Sequence, residues 1–426
     1  MESSELSRLR YYFDLLAKLI ANLNNIALVD DSTEKTKIQR VLKALADILS
    51  CEDAFVGKYD EKTQRIVIED VFSPDHLIHG TFPCQEGSIW NAIIQEQKFY
   101  AAGSGDIDSA AKAIGIQNAV VAPFIRNDGT LRIISCCNKR TEMPYRYDTY
   151  GSDEGKILQT VAILTARQLD IARSIKIDLE KAARVQKHLL PEKAPAVEKA
   201  DLDHIYVPAK GVSGDYYDFI SLTGHELGIV IGDVRGKGLE AALVMVMIRS
   251  SMHSILEQMG KRFNVDEIMF QLNNLIKKNV EEGMFATFIF AVLDTKARLM
   301  RYCSAGHLPP MVYRSRRCNF EQTEEISTNL ALGVEKNAIY AVHELTLGEG
   351  DIVIFCTDGI HEAQQINGDD QFGLERLKAA VIESARKDAK DIIKEILAKM
   401  SAFCGGSQLQ DDASLIVLKM KWLSPQ

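Results

Sequence analysis

Residues 231–243 read Ile-Gly-Asp-Val-Arg-Gly-Lys-Gly-Leu-Glu-Ala-Ala-Leu. A run of β-formers closes on Asp233 amid three glycines, Gly232, Gly236 and Gly238, and strong helix formers follow. The stretch predicts a strand that hands over to a helix with an acidic group fixed at the junction. An aspartate there is either ordinary turn and cap chemistry or a ligand held where nearby glycines let backbone carbonyls approach an ion.

The surrounding sequence favours the ligand. Three of four apolar strand candidates carry aspartate at an end: LGIVIGD closes on Asp233, DIVIFCTD closes on Asp358, and Asp411-Asp412 open ASLIVLKM. The fourth, in FATFIFAVLD, is followed by its own Asp294. If Asp233, Asp358 and Asp411 meet, the last strand runs antiparallel to the first two and one rim carries all three carboxylates. Asp215 and Asp218 of SGDYYD (213–218) are candidates for the same rim. Two like charges about 4 Å apart repel by about 4 kcal/mol at an intermediate dielectric. Hard oxygen ligands without clustered His or Cys make Mg²⁺ or Mn²⁺ the fitting counter-charge. Two such cations could activate water for in-line attack on phosphorus with no Ser, Cys or His nucleophile, and no convincing triad stands in the chain.

A chain of 426 residues predicts two domains. Leu6, Leu9, Phe13, Leu16, Ile20 and Leu23 alternate steps of three and four, so residues 1–30 read as an N-terminal coiled-coil helix. Residues 31–168 mix helices with antiparallel strand patterns, an α+β arrangement. Glu86-Gly87-Ser88, Ala122-Pro123-Phe124, the Asn127-Asp128-Gly129 turn and Asn138-Lys139, in that order, resemble a GAF domain. That resemblance implies a sensor whose ligand or protein partner the sequence does not name. Residues 169–191 read as a helical linker ending at Pro191. In the helical stretch that contains it, Leu164, Ile171, Ile175, Ala182, Val185 and Leu189 share one seam, with Gln168 and Asp178 as polar interruptions. The two helical segments predict a homodimer. Residues 192–423 form the second domain.

Composition narrows the partners. The net charge is −9 with no basic stripe interleaved with aromatics, which excludes nucleic acid as the main partner. No apolar run reads as a membrane span, so a cytoplasmic protein is expected. Eight cysteines lack CxxC pairs and read as buried reduced thiols, Cys84 included.

SGDYYDF, IGDVRGKGLEAAL, FATFIFAVLD, YCSAGHLPPMVY, LALGV, GDIVIFCTDGIHEAQ, FGLERL and DDASLIVLK, in that order, resemble the SpoIIE/RsbU-like branch of the PPM metal-dependent serine/threonine phosphatases. The helix EKAARVQKHLLP looks like the segment leading into that catalytic domain. The resemblance implies an α-β-β-α sandwich with two Mn²⁺ or Mg²⁺ ions at one edge. Asp233 would bridge the ions with the Val234 carbonyl beside it. Asp358 and Asp411 would bind the first ion and Asp215 the second, with Asp218 and Asp412 supporting from behind. It also implies a phosphorylated small regulatory protein, an anti-sigma-factor antagonist, as substrate.

The wider family's eukaryotic members place a histidine two residues past the bridging aspartate. Arg235 stands there, leaving the proton donor unassigned and making Arg235 and Lys237 candidates for phosphate contact. His307 of SAGH reads as an architectural residue. Two other functions remain open at this level: a non-catalytic partner-binding sensor, and a metal-dependent nucleotide phosphodiesterase.

Overall fold

The computed structural model describes residues 33–73, 78, 80–103, 105–139, 150–209, 211–260, 263–321, 330–365, 368, 370–406 and 409–422. The coiled-coil seam expected over residues 1–30 lies outside them. The chain divides into two compact units, Met1–Ile177 and Asp178–Gln426.

The first unit opens with α1 (Glu34–Leu49), whose N-terminus is capped by the Thr33 hydroxyl accepting from Thr36 N–H. β1 (Cys51–Asp60), β2 (Arg65–Phe72) and β3 (Thr81–Pro83) follow, then α2 (Ile89–Glu96), β4 (Tyr100–Ala102), α3 (Ser109–Ala113), β5 (Ala119–Ile125), β6 (Leu131–Lys139) and α4 (Ser152–Leu189). The strands form one antiparallel sheet in the order β3-β2-β1-β6-β5-β4. Period-2 alternation sends Ala54, Val56, Ile134 and Cys136 to a core shared with α1 and α4, and Phe55, Ile133 and Cys137 to a core shared with α2 and α3. Phe55, Phe82 and Trp90 fill the latter as an aromatic cluster.

α4 is one continuous helix that starts at Ser152, so residues 169–189 are its later turns. Ile157, Leu158, Val161, Ala162, Ala166 and Leu169 bury its first half in the first unit's core. Beyond them Ile171, Ile175 and Val185 are 45%, 55% and 65% exposed, an apolar seam left uncovered among the described residues.

The second unit contains β7 (Ala200–Val207), β8 (Tyr216–Ser221), β9 (Glu226–Val234), α5 (Leu239–Met259), α6 (Val265–Asn279), β10 (Ala286–Asp294), β11 (Leu299–Ala305), β12 (Met311–Arg314), β13 (Asn319–Phe320), β14 (His343–Thr346), β15 (Ile352–Cys356), α7 (Asp358–His361), α8 (Gly373–Ser384), α9 (Ala389–Phe403) and β16 (Ala413–Met420). Two five-stranded sheets result, β14-β11-β10-β9-β8 and β13-β12-β15-β16-β7. Val353, Phe355, Ile416 and Leu418 point into the core that holds the first of these sheets with α5 and α6. Their neighbours Ile352, Ile354, Leu415 and Val417 point the other way, onto α8 and α9. The layers are therefore helices, sheet, sheet, helices.

One helix differs from expectation. α5 is long and apolar enough to cross a membrane by length and composition. Its Ala241, Met245, Ile248, Met252 and Ile255 are buried in the same core as Ile229 and Ile231 of β9, the packing of a core helix. Among the cysteines, Cys318 departs from the buried expectation and is exposed, whereas the other seven are buried.

Candidate metal centre

The single rim expected from the strand ends is built from two sheets. β9, which carries Asp233, belongs to one sheet, and β15 and β16 belong to the other. β15 and β16 run antiparallel with Cys356 opposite Leu415, so Asp358 just after β15 and Asp411-Asp412 just before β16 share one end. Tyr216 opposes Gly232 in the β8–β9 ladder, and Asp215 accordingly falls beside Asp233.

Main-chain proximity at this corner demands glycine. A Cβ on Gly359 would sit 1.9 Å from the Asp412 carbonyl oxygen. On Gly214 it would meet the Val234 carbonyl oxygen at 2.9 Å and Asp233 Oδ1 at 3.3 Å. The strand-to-helix loop turns through Gly236 and Gly238, both at positive φ (101° and 80°).

Asp215 is 1% exposed. Its Oδ2 accepts from Thr357 Oγ1 at 2.9 Å and from Ser414 Oγ at 2.6 Å. Its Oδ1 is buried without a hydrogen-bond partner. Asp412 braces the same loop, taking Ala209 N–H on one oxygen at 2.7 Å and Gly214 N–H on the other at 3.0 Å. The sequence carries no signal for Thr357 and Ser414 beyond their lying one and two residues from Asp358 and Asp412.

The electrostatics follow from this crowding. Burial, and then the charge of Asp233, push the Asp215 carboxyl well above its ordinary range. Asp233 is raised to about 7 by burial and then by Asp358, Asp411 and Asp412. Asp358 is raised by burial and next by Asp411. Carboxyls shifted upward by burial and by one another's charge mark a corner short of positive charge.

The donor set fits a hard divalent cation. It offers carboxylate oxygens, a main-chain carbonyl at Val234 and the orphaned Asp215 Oδ1, which a cation would satisfy. The shell is not drawn closed: among the described residues no three carboxylate, imidazole or thiol groups already stand at ligand spacing. Asp411 shows one reason. Its Oδ1 accepts from Asp412 N–H at 3.0 Å, and its Oδ2 lies 2.7 Å from Lys237 Nζ.

The remaining candidates go elsewhere. Asp218 is buried, and its Oδ2 accepts from Tyr216 OH at 2.9 Å and meets His253 Nε2 of α5 at 2.7 Å. Arg235 is exposed, donates to the Gly283 carbonyl at 2.9 Å and stacks on Phe285. His307 is 8% exposed and spans the two sheets. Its Nε2 is 3.1 Å from the Cys356 carbonyl, which can only accept, so Nδ1 accepts from Thr287 Oγ1 at 2.8 Å. Burial lowers the His307 pKa to about 4, leaving it neutral.

Residues 223–421 match the family model of Stage II sporulation protein E (SpoIIE). Over 256 residues the chain is 35% identical to phosphoserine phosphatase RsbU of Bacillus subtilis (strain 168), covering 59% of this chain and 72% of that protein. It is 27% identical over 299 residues to protein IcfG of Synechocystis sp., covering 62% of this chain but only 46% of that protein. The SiaA-PP2C domain of Pseudomonas aeruginosa shares the fold, with a TM-score of 0.51 at 18% identity over 58% of this chain and 98% of that one.

Proposed function

This chain belongs to the SpoIIE/RsbU-like branch of the PPM metal-dependent protein serine/threonine phosphatases, and we propose that it dephosphorylates serine or threonine of a small regulatory protein of the anti-sigma-factor-antagonist type. The observation that carries the site assignment is the convergence of Asp215, Asp233, Asp358 and Asp411 from four separate segments at one corner, where burial and mutual charge raise Asp215 and Asp233. We assign two Mn²⁺ or Mg²⁺ ions to this corner, held by Asp215, Asp233, the Val234 carbonyl, Asp358 and Asp411. Bound there, the cations supply Lewis acidity that neutralises phosphoryl charge and acidifies water.

The chain's own groups do the rest. Asp412 and Gly214 hold the backbone that presents Asp215, and Thr357 and Ser414 fix its orientation. Arg235 and Lys237 sit on the glycine-flanked loop at the rim, where either reaches a phosphate as a cationic donor.

The first unit is assigned as a GAF-like sensor on its antiparallel sheet with helices on both faces. The exposed seam Ile171, Ile175 and Val185 of α4 supports a homodimer through this helix, Asp178 being a polar position that weakens the seam enough to respond to a signal. Cysteines that form no disulfide among the described residues suit the cytoplasm, the setting assigned here.

The test is phosphate release from a phosphoserine protein with Mn²⁺, with EDTA, and with Asp233→Asn and Asp358→Asn. Activity that requires Mn²⁺ and is lost in both variants is expected. Metal-independent activity, or full activity in both variants, would overturn the site assignment.

A further inference from the structure

Gln186 lies in the last turn but one of α4, 4% exposed. Its side-chain amide engages one residue twice: Nε2 donates to the Ser213 carbonyl at 2.7 Å, and Oε1 accepts Ser213 N–H at 3.0 Å. Ser213 in turn accepts Asp215 N–H on its hydroxyl at 3.0 Å. The amide of the intervening Gly214 is held by Asp412. Every main-chain N–H from Ser213 to Asp215 is therefore fixed, and the only partner for this loop that comes from α4 is Gln186 among the hydrogen bonds of these residues.

We infer that Gln186 is the positioning residue through which the last turns of α4 set the carboxylate of Asp215. Glutamine suits the task because its amide offers a donor and an acceptor in one plane, matching the N–H and C=O of a single peptide residue. The bonds are buried, so water cannot replace them and a displaced α4 leaves both groups of Ser213 unpaired. A shift of the helix end is thereby transmitted to a loop that begins two residues before Asp215. The exposed apolar seam upstream on the same helix is where a partner strand would hold or release it. This inference rests on the assignment of Asp215 as a metal ligand.

The test uses the full chain as wild type, Gln186→Ala, Gln186→Glu and Asp215→Asn, at a temperature where circular dichroism shows each folded. Calorimetric titration with Mn²⁺ alone is the first readout, and kcat and KM on an aryl phosphate are the second. Gln186→Ala is expected to weaken Mn²⁺ binding by about 10- to 100-fold, the usual effect of removing a group that orients a ligand. It should lower kcat with little change in KM. Gln186→Glu, which keeps an acceptor for Ser213 N–H but loses the donor, should fall between. Wild-type Mn²⁺ affinity and kcat in folded Gln186→Ala would overturn the inference. Undiminished Mn²⁺ binding in Asp215→Asn would instead remove the metal-ligand assignment beneath it.

Discussion

Ser414 Oγ donates to Asp215 Oδ2 at 2.6 Å across a separation of 199 residues. With Thr357 Oγ1 on the same oxygen at 2.9 Å, the carboxylate is turned so that Oδ1 alone is left without a partner. Removing these donors should free the carboxylate to rotate. Ser414→Ala combined with Thr357→Val is expected to weaken Mn²⁺ binding by about 10- to 100-fold in calorimetry. Unchanged affinity would show that the hydroxyls only satisfy a buried charge.

Asp233 titrates near 7 in the folded, metal-free chain against an ordinary 3.8. The folded state then binds a proton that the unfolded chain has already released, so stability falls as pH rises from about 4 to about 7 and levels off above. Asp233→Asn abolishes this cost. In EDTA its melting temperature should exceed that of wild type by a margin that grows from pH 5 to pH 7 and stays constant to pH 8. A margin that does not vary with pH would refute the account. In the wild type, Mn²⁺ binding below pH 7 should release protons.

Lys237 and a cation compete for Asp411 Oδ2, because Asp411 Oδ1 is already bonded to a main-chain N–H. Both side chains are about half exposed, where such a pair contributes about 0.2 to 1 kcal/mol. Lys237→Met is therefore expected to tighten Mn²⁺ binding by about 2- to 5-fold at low salt, while Lys237→Arg stays near wild type. Equal or weaker binding in Lys237→Met would mean that the lysine does not compete.

Gly359 has no room for a methyl group, since its Cβ would lie 1.9 Å from the Asp412 carbonyl oxygen. The chain beside Asp358 must move away from β16 to accept one. Gly359→Ala should destabilise the second unit by about 1–3 kcal/mol, the usual range for overpacking. A thermal melt indistinguishable from wild type would contradict the close approach.

Within the first unit Arg126 is 4% exposed and donates to Asp170 Oδ1 at 2.6 Å and Glu34 Oε1 at 2.7 Å, joining α4 and α1 to the β5–β6 hairpin. Asp170→Asn leaves the guanidinium buried with only the half-exposed Glu34 as a charged partner. It should lower the stability of this unit by about 3 kcal/mol in denaturant titration, and a shift below about 0.5 kcal/mol would count against that role.

The architecture was legible where the signal is local. Continuous apolar, β-branched runs in LGIVIGD, DIVIFCTD and ASLIVLKM specify β9, β15 and β16, strands buried on both faces. The handover at Asp233 into α5 follows from glycines that alone tolerate positive φ. The predicted antiparallel relation between the Asp358 and Asp411 strands is found in the β15–β16 ladder.

Less legible were relations that depend on how layers stack. The spacing of SGDYYD offers Asp215 and Asp218 alike and only the family resemblance ranks Asp215 first; in the fold Asp215 faces the carboxylate corner and Asp218 faces His253 on α5. α5, whose sequence does not read as a membrane span, proves long and apolar enough for one once its helix bounds are known, and Ile229 and Ile231 of β9 share the core that buries its apolar residues.

By itself the sequence determined the strands, the aspartates at their ends, the glycines between them and, through the ordered motifs, the family. The tertiary structure decided that the rim is shared by two sheets, that Thr357 and Ser414 turn Asp215, that Lys237 holds Asp411, and that Gln186 clasps Ser213. The physical reason is range. Backbone conformation and side-chain alternation are set by neighbours along the chain, whereas a buried hydrogen bond between residues 199 positions apart exists only after two sheets have packed.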